Sequence, residues 1–203
     1  MAKKRIYIIS LFFLCTIICM SGCTSLQLYY TKPPFETTIK GSISVVLNDK
    51  RPAEEGGKDP AQVGVVRNTF GMPFPMKATN TEPSKIVKEL VSDCLKAAGY
   101  EPVDQSENVP QLHVFLESFW SDGYQASRTS MQLLMELKKS STSPALWSQP
   151  LLSDAVVMWT AGTGPMEKGY HQVLEDAKQK MITHFKDSKF TAAYQSLYGK
   201  TLQ

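Results

Sequence analysis

Residues 81–103, TEPSKIVKELVSDCLKAAGYEPV, decide the fold class. Ile86, Val87, Leu90, Val91, Cys94, Leu95 and Ala98 recur at spacings of one and of three or four, which draws one apolar stripe down a helix. Thr81-Glu82-Pro83 supplies its start: a capping hydroxyl, an acid in the first turn and an early Pro. Gly99 supplies its stop. The period then changes to that of a sheet. Tyr100–Val103 is a short β-stretch, and Gln111–Trp120 (QLHVFLESFW) is apolar on both faces, as a central strand is.

Further along, Asp122-Gly123 marks a turn, and Tyr124–Lys139 puts Met131, Leu133, Met135 and Leu137 on one face of a strand. After the Ser140–Pro144 turn come Ala145–Ser148, an interruption at Pro150, and a final β-run over Leu151–Thr160. Gly162-Thr163-Gly164-Pro165 breaks the pattern. Tyr170, Val173, Leu174, Ala177, Met181 and Phe185 then fall at helical spacing, and Asp187-Ser188 restarts a short helix that Gly199 ends.

On the N-terminal side, Ile43–Asp49 (ISVVLND) is a β-branched strand, residues 50–62 form a loop, and Gly64–Phe70 is a candidate second strand. Pro73 and Pro75 keep residues 71–80 from continuing it regularly. Residues 24–32 read as an edge strand or as part of a tether, and Pro33-Pro34 ends them. The expectation is a single α+β domain over residues 43–203. It has a mainly antiparallel sheet, two main helices packed on it and a short C-terminal helix. A tether over residues 23–42 precedes it.

The chain has 203 residues, 42% hydrophobic and 20% charged, with a formal charge of +3. That charge invites an acidic partner, but its placement removes the invitation. Lys3, Lys4 and Arg5 precede an uncharged run from Ile6 to Met20, the pattern of a secretory signal. Fifteen helical residues reach roughly 22 Å, short of a ~30 Å hydrocarbon core. Without residues 1–22 the chain has 19 basic and 19 acidic side chains, and no Lys/Arg run fit for nucleic acid remains.

Met20-Ser21-Gly22-Cys23 resembles the bacterial lipobox, with Met where Leu is usual. The resemblance implies cleavage between Gly22 and Cys23 and a lipid on the Cys23 thiol. Small Ser21 and Gly22 let an extended backbone enter a protease, and two or more acyl chains anchor stably. Thr24 is not the Asp that retains such proteins at the inner membrane, so the periplasmic leaflet of the outer membrane is the expected address. In a Gram-positive source the same anchor implies the outside of the plasma membrane. With Cys15 and Cys19 lost and Cys23 lipidated, Cys94 has no cysteine partner and sits on the first helix's apolar stripe as a buried thiol.

LQLYYTKPP, ISVVLNDKRP, the helix ending KAAGY, QLHVFLESFW and a C-terminal helix together resemble the YajG-type family of Gram-negative outer-membrane lipoproteins. The resemblance covers most of the chain after the signal and is sharpest at Asp49-x-Arg51. It implies an address and a fold, and no catalytic residues.

The residues themselves offer little chemistry. Of the three histidines, His171 and His184 lie roughly 220° apart around one helix, and His113 reads as a packed or edge histidine, so no metal site is expected. No nucleophile elbow or triad pattern is present, and no enzyme activity or cofactor is expected. Gly162-x-Gly164 lacks the further glycines and the Lys-Ser/Thr pair of a phosphate loop. Asp49 and Arg51 flank a strand end and read as a structural pair. Met72, Phe74 and Met76 (MPFPM) are candidate partner contacts if exposed, and a plug for the sheet if folded inward. Trp120, Trp147, Trp159, Tyr124 and Tyr170 are core rims or a glycan- or lipid-binding groove. The leading expectation is a lipid-anchored, non-catalytic adaptor that meets an envelope protein, and the alternative is a glycan- or lipid-binding module.

Overall fold

The computed structural model describes residues 25–56, 58–104, 109–159 and 163–198. Among these, the strands are β1 (Ser25–Leu26), β2 (Gly41–Asp49), β3 (Gln62–Arg67), β4 (Pro73–Ala78), β5 (Tyr100–Val103), β6 (Gln111–Gly123), β7 (Ala126–Lys138) and β8 (Trp147–Met158). The helices are α1 (Pro83–Ala97), α2 (Gly164–Lys186) and α3 (Ser188–Tyr198).

All eight strands form one sheet around β6. On one side β6 pairs antiparallel with β7, which pairs antiparallel with β8. On the other side β2 and β3 lie end to end, both parallel to β6: Ser44–Asp49 beside Gln111–Leu116, and Gly64–Val66 beside Ser121–Gly123. The register of β6 shifts between Leu116 and Ser118, where β2 gives out and Lys50 N–H donates to the Leu116 carbonyl. Such an irregularity bends a strand and ends a pairing. Residues 50–61 are thus a detour from one continuous line of pairing. The sheet is mixed: antiparallel along its longest ladders, parallel where β2 meets β5 and β6, where β3 meets β6 and where β1 meets β4.

One face of the sheet carries the core. Leu112, Val114, Leu116 and Phe119 of β6 join Met131, Leu133, Met135 and Leu137 of β7, and α2 lays Tyr170, Val173, Leu174, Ala177, Met181 and Phe185 on them. The rings of Phe119 and Tyr170 stack at 4.7 Å between centroids. Near the start of α2 the helix comes down on three small buried hydroxyls, Ser121, Ser127 and Thr129, which bond one another. Gly169 permits that approach, since a Cβ there would sit 2.4 Å from Thr129 Oγ1. The helix α1 packs beside α2 over β2 and β5, and α3 closes the far end with Phe190 and Tyr194 against Tyr100.

Three expectations are corrected. The prolines do not exclude a strand at residues 73–78: β4 pairs with β3 on one side, and β1 reaches only Lys77–Ala78 on the other. Pro73 and Pro75 sit at alternate positions, so their missing N–H groups fall on the side with no partner. Pro150 likewise lies inside β8, an edge strand that runs unbroken from Trp147 to Met158. At α1 the cap residue is Glu82 with no side-chain bond; the Thr81 hydroxyl turns to the Glu82 carbonyl instead.

Candidate functional site

Gly22 and Cys23, the expected cleavage and lipidation residues, lie outside the described residues. From Ser25 onward the chain is held tightly to the body. After β1, residues 27–40 form a strap across α1 and α2. The Asn80 side chain accepts from Leu28 N–H and donates to the Leu28 carbonyl at 3.0 and 2.7 Å, imitating a strand neighbour. Glu167 accepts from Gln27 N–H, and Glu175 accepts from Thr31 N–H while Lys178 donates to the Thr31 carbonyl. Tyr30 donates to Asp93 at 2.9 Å, and burial followed by this bond pushes its phenol well above the ordinary range. Further on, Glu36 N–H reaches the Lys96 carbonyl and Lys40 N–H the Gly99 carbonyl. Leu26 and Leu28 are buried. Of residues 24–32, expected as an edge strand or part of a tether, Ser25–Leu26 are the edge strand β1, and the stretch after it is a strap bonded along its length. Most of its partners are distant in sequence, and no local pattern in the segment announces them.

At the detour after β2, Arg51 is buried and its guanidinium meets the Asp49 carboxylate at 2.8 Å. The remaining N–H groups donate to the carbonyls of Glu55, Pro60 and Gln62. Glu55 accepts from Ser118 Oγ at 2.6 Å, tying the detour to the β6 irregularity. Every donor is engaged within the fold, which gives this pair the form of a clamp.

The MPFPM residues part company. Met76 is wholly buried in the core, Phe74 is half-buried and Met72 is 53% exposed. Phe70, two residues before Met72, is 86% exposed in the turn where Asn68 accepts from the N–H groups of Phe70 and Met72. This turn lies at one end of the sheet, where β3 and β6 finish and β4 and β7 begin. Exposed Tyr124, in the β6–β7 turn, and exposed Met158, at the end of β8, stand at the same end. The Asp122-Gly123 turn is marked in the sequence, whereas the turn at residues 68–72 begins inside the stretch expected as a strand over Gly64–Phe70; only the parallel placing of β3 on β6 collects them.

Of the named aromatic residues, Tyr170 and Trp147 pack against the core, whereas Tyr124 is exposed. Tyr170 is buried and donates to the Val63 carbonyl, and Trp147 packs edge-on to Phe190 at 4.9 Å. Trp159 covers Gly123. Cys94 is buried, and burial, then the neighbouring Asp93 charge, pushes its thiol up to about 12. His113 is buried beside Gln111, 3.0 Å away, with its ring near Phe115; burial, then Lys138, lowers its pKa. His171 stacks on Tyr29, and burial lowers His184. Among the described residues no three His, Cys, Asp or Glu side chains cluster as metal ligands, and no helix is long and apolar enough to cross a membrane.

No family model and no curated protein sequence matches the chain. Solved structures do resemble it. A Xanthomonas campestris protein of the DUF330 family aligns with a TM-score of 0.54 at 14% identity, over 86% of this chain and 95% of its own. A lipoprotein from Neisseria meningitidis aligns with a TM-score of 0.37 at 14% identity, over 57% and 83%. A minor lipoprotein from Acinetobacter baumannii aligns with a TM-score of 0.37 at 10% identity, over 71% and 91%. The first likeness is one of fold.

Proposed function

We propose that the chain is a lipid-anchored envelope lipoprotein of the YajG type, held by Cys23 to the periplasmic leaflet of the outer membrane and acting as a non-catalytic adaptor for an envelope protein. The observation that carries the adaptor role is the one-sided sheet. The core and all three helices lie on one face. The other face of β7 and β8 is open, with Arg128 and Gln132 exposed beside Leu152 (51%) and Val156 (64%). A mixed apolar and polar surface of that kind suits a protein partner. Strand addition along β8 is the less favoured mode, because Pro150 lacks an N–H and Lys180 of α2 occupies the Leu152 carbonyl at 2.8 Å. The polar groups buried in the body favour a non-catalytic reading, since Arg51, Tyr170 and Ser153 all bond within the fold.

Two measurements test this. Cys23→Ala should remain an unprocessed precursor that incorporates no labelled palmitate; normal processing sinks the anchor. A photo-crosslinker at Leu152 should capture one stoichiometric envelope protein from intact cells, and one at Lys189 on α3 should not. Retention on purified cell-wall glycan without any protein adduct would favour the binding-module alternative.

A further inference from the structure

The strap and the apolar turn belong together through one topological fact. The strand β1 runs parallel to β4, with Ser25 level with Lys77 and Leu26 with Ala78. Followed backward, β1 itself points toward the start of β4, next to the Phe70–Met72 turn. Ser25 stands five residues along β4 from Met72, about 17 Å at strand rise. Two further residues lead to Cys23, a reach of at most about 7 Å. A Cys23 anchor thus ties down the end of the sheet from which Phe70 (86% exposed), Met72 (53%), Tyr124 (47%) and Met158 (71%) project.

We propose that this end of the sheet is a second membrane contact, with Phe70 and Met72 entering the bilayer surface beside the acyl chains. The inference rests on the anchor at Cys23. Four features fit it. Exposed aromatic and Met side chains gathered at one end of a molecule call for an apolar partner, and lipid is the surface that the anchor brings within reach. The Asp122 carboxylate beside the turn, which would resist approach to a bilayer, is held by Arg67 at 2.7 Å in a two-pronged pair. Exposed Lys168 borders Met158, where an ammonium can meet lipid phosphate while its stem lies on apolar surface. Tyr124 brings a ring with a polar tip, suited to the headgroup layer. The two contacts together set the orientation of the body: the β7–β8 turn at Ser140–Ser143 points away from the membrane, and the open sheet face stands across it.

The test uses the full chain, processed and acylated in a bacterial host and reconstituted into vesicles of phosphatidylethanolamine and phosphatidylglycerol that contain a spin-labelled lipid quencher. A fluorophore is placed at Met72→Cys, which keeps Phe70, or at Ser141→Cys. The expected result is several-fold stronger quenching at 72 than at 141, reduced when Phe70→Ser is added. Equal quenching at the two sites, or no effect of Phe70→Ser, overturns the proposal. Palmitate content is measured on the same protein. An acylated protein with an unquenched residue 72 defeats the second contact alone, whereas a protein without palmitate defeats the anchor and the contact with it.

Discussion

The guanidinium of Arg51 closes on the carboxylate of Asp49, two residues earlier, with no exposure of its own side chain. It is the hub of the detour between β2 and β3. Arg51→Ala leaves the partly exposed Asp49 carboxylate with only the backbone N–H of residue 51 and three carbonyls without their donors, and is expected to lower unfolding free energy by roughly 3 kcal/mol. Arg51→Lys restores a charge but not the planar fork, so about 2 kcal/mol of that loss should remain. Urea denaturation of the three proteins checks both figures.

Tyr170 donates from α2 to the Val63 carbonyl of β3 inside the core. Tyr170→Phe keeps the ring stacked on Phe119 and removes the donor. A loss of about 1–3 kcal/mol is expected by urea denaturation, the cost of leaving one buried carbonyl unpaired.

Gly99 holds a φ of +88° just past α1, and a Cβ there would lie 2.8 Å from the Thr38 carbonyl of the strap. Gly99→Ala meets both backbone strain and this contact. A loss of about 2 kcal/mol or more is expected, with faster amide exchange at Lys40, whose N–H bonds the Gly99 carbonyl.

Glu175 is partly buried, which pushes its pKa up, but the bonds from Lys178 and Thr31 together outweigh burial and leave the carboxyl below its ordinary range. A depressed carboxyl stabilises the folded state above its unfolded pKa of about 4.3, and that contribution is lost as pH falls through the folded value. The gap in Tm between wild type and Glu175→Gln should therefore be constant near neutrality and shrink below about pH 4.

The Cys94 thiol, raised to about 12 and buried, should not react with thiol reagents at pH 8 in the folded, processed chain. Reaction should appear only across the unfolding transition, and colorimetric thiol titration in increasing urea checks it.

The helices were legible because their signals are local: α1 wears its stripe from Ile86 to Ala97 and stops where Gly99 takes a positive φ. The central place of β6 was legible too, in residues apolar on both faces. Strand neighbours were not. Nothing in ISVVLND or QVGVVR tells that both segments line up along the same side of β6, because pairing is settled by the shape of the sheet and the bend at Leu116–Ser118. Pro75 and Pro150 misled because a proline's cost depends on which side of the strand is paired, and that side is a tertiary fact. Of the candidate site residues, Asp49 and Arg51 were close in sequence and so easy to see. Phe70 and Met158 are distant, and only the sheet brings them to one end.

The strap also imposes an order on folding. Its residues come first among those described, yet Glu167, Glu175 and Lys178, which hold them, belong to α2, near the other end of the chain. Such long loop closures are slow. Until α2 arrives, residues 27–31 hold only to Asn80 and Asp93. Docking of α2 therefore locks an early and a late part of the described chain together in one step.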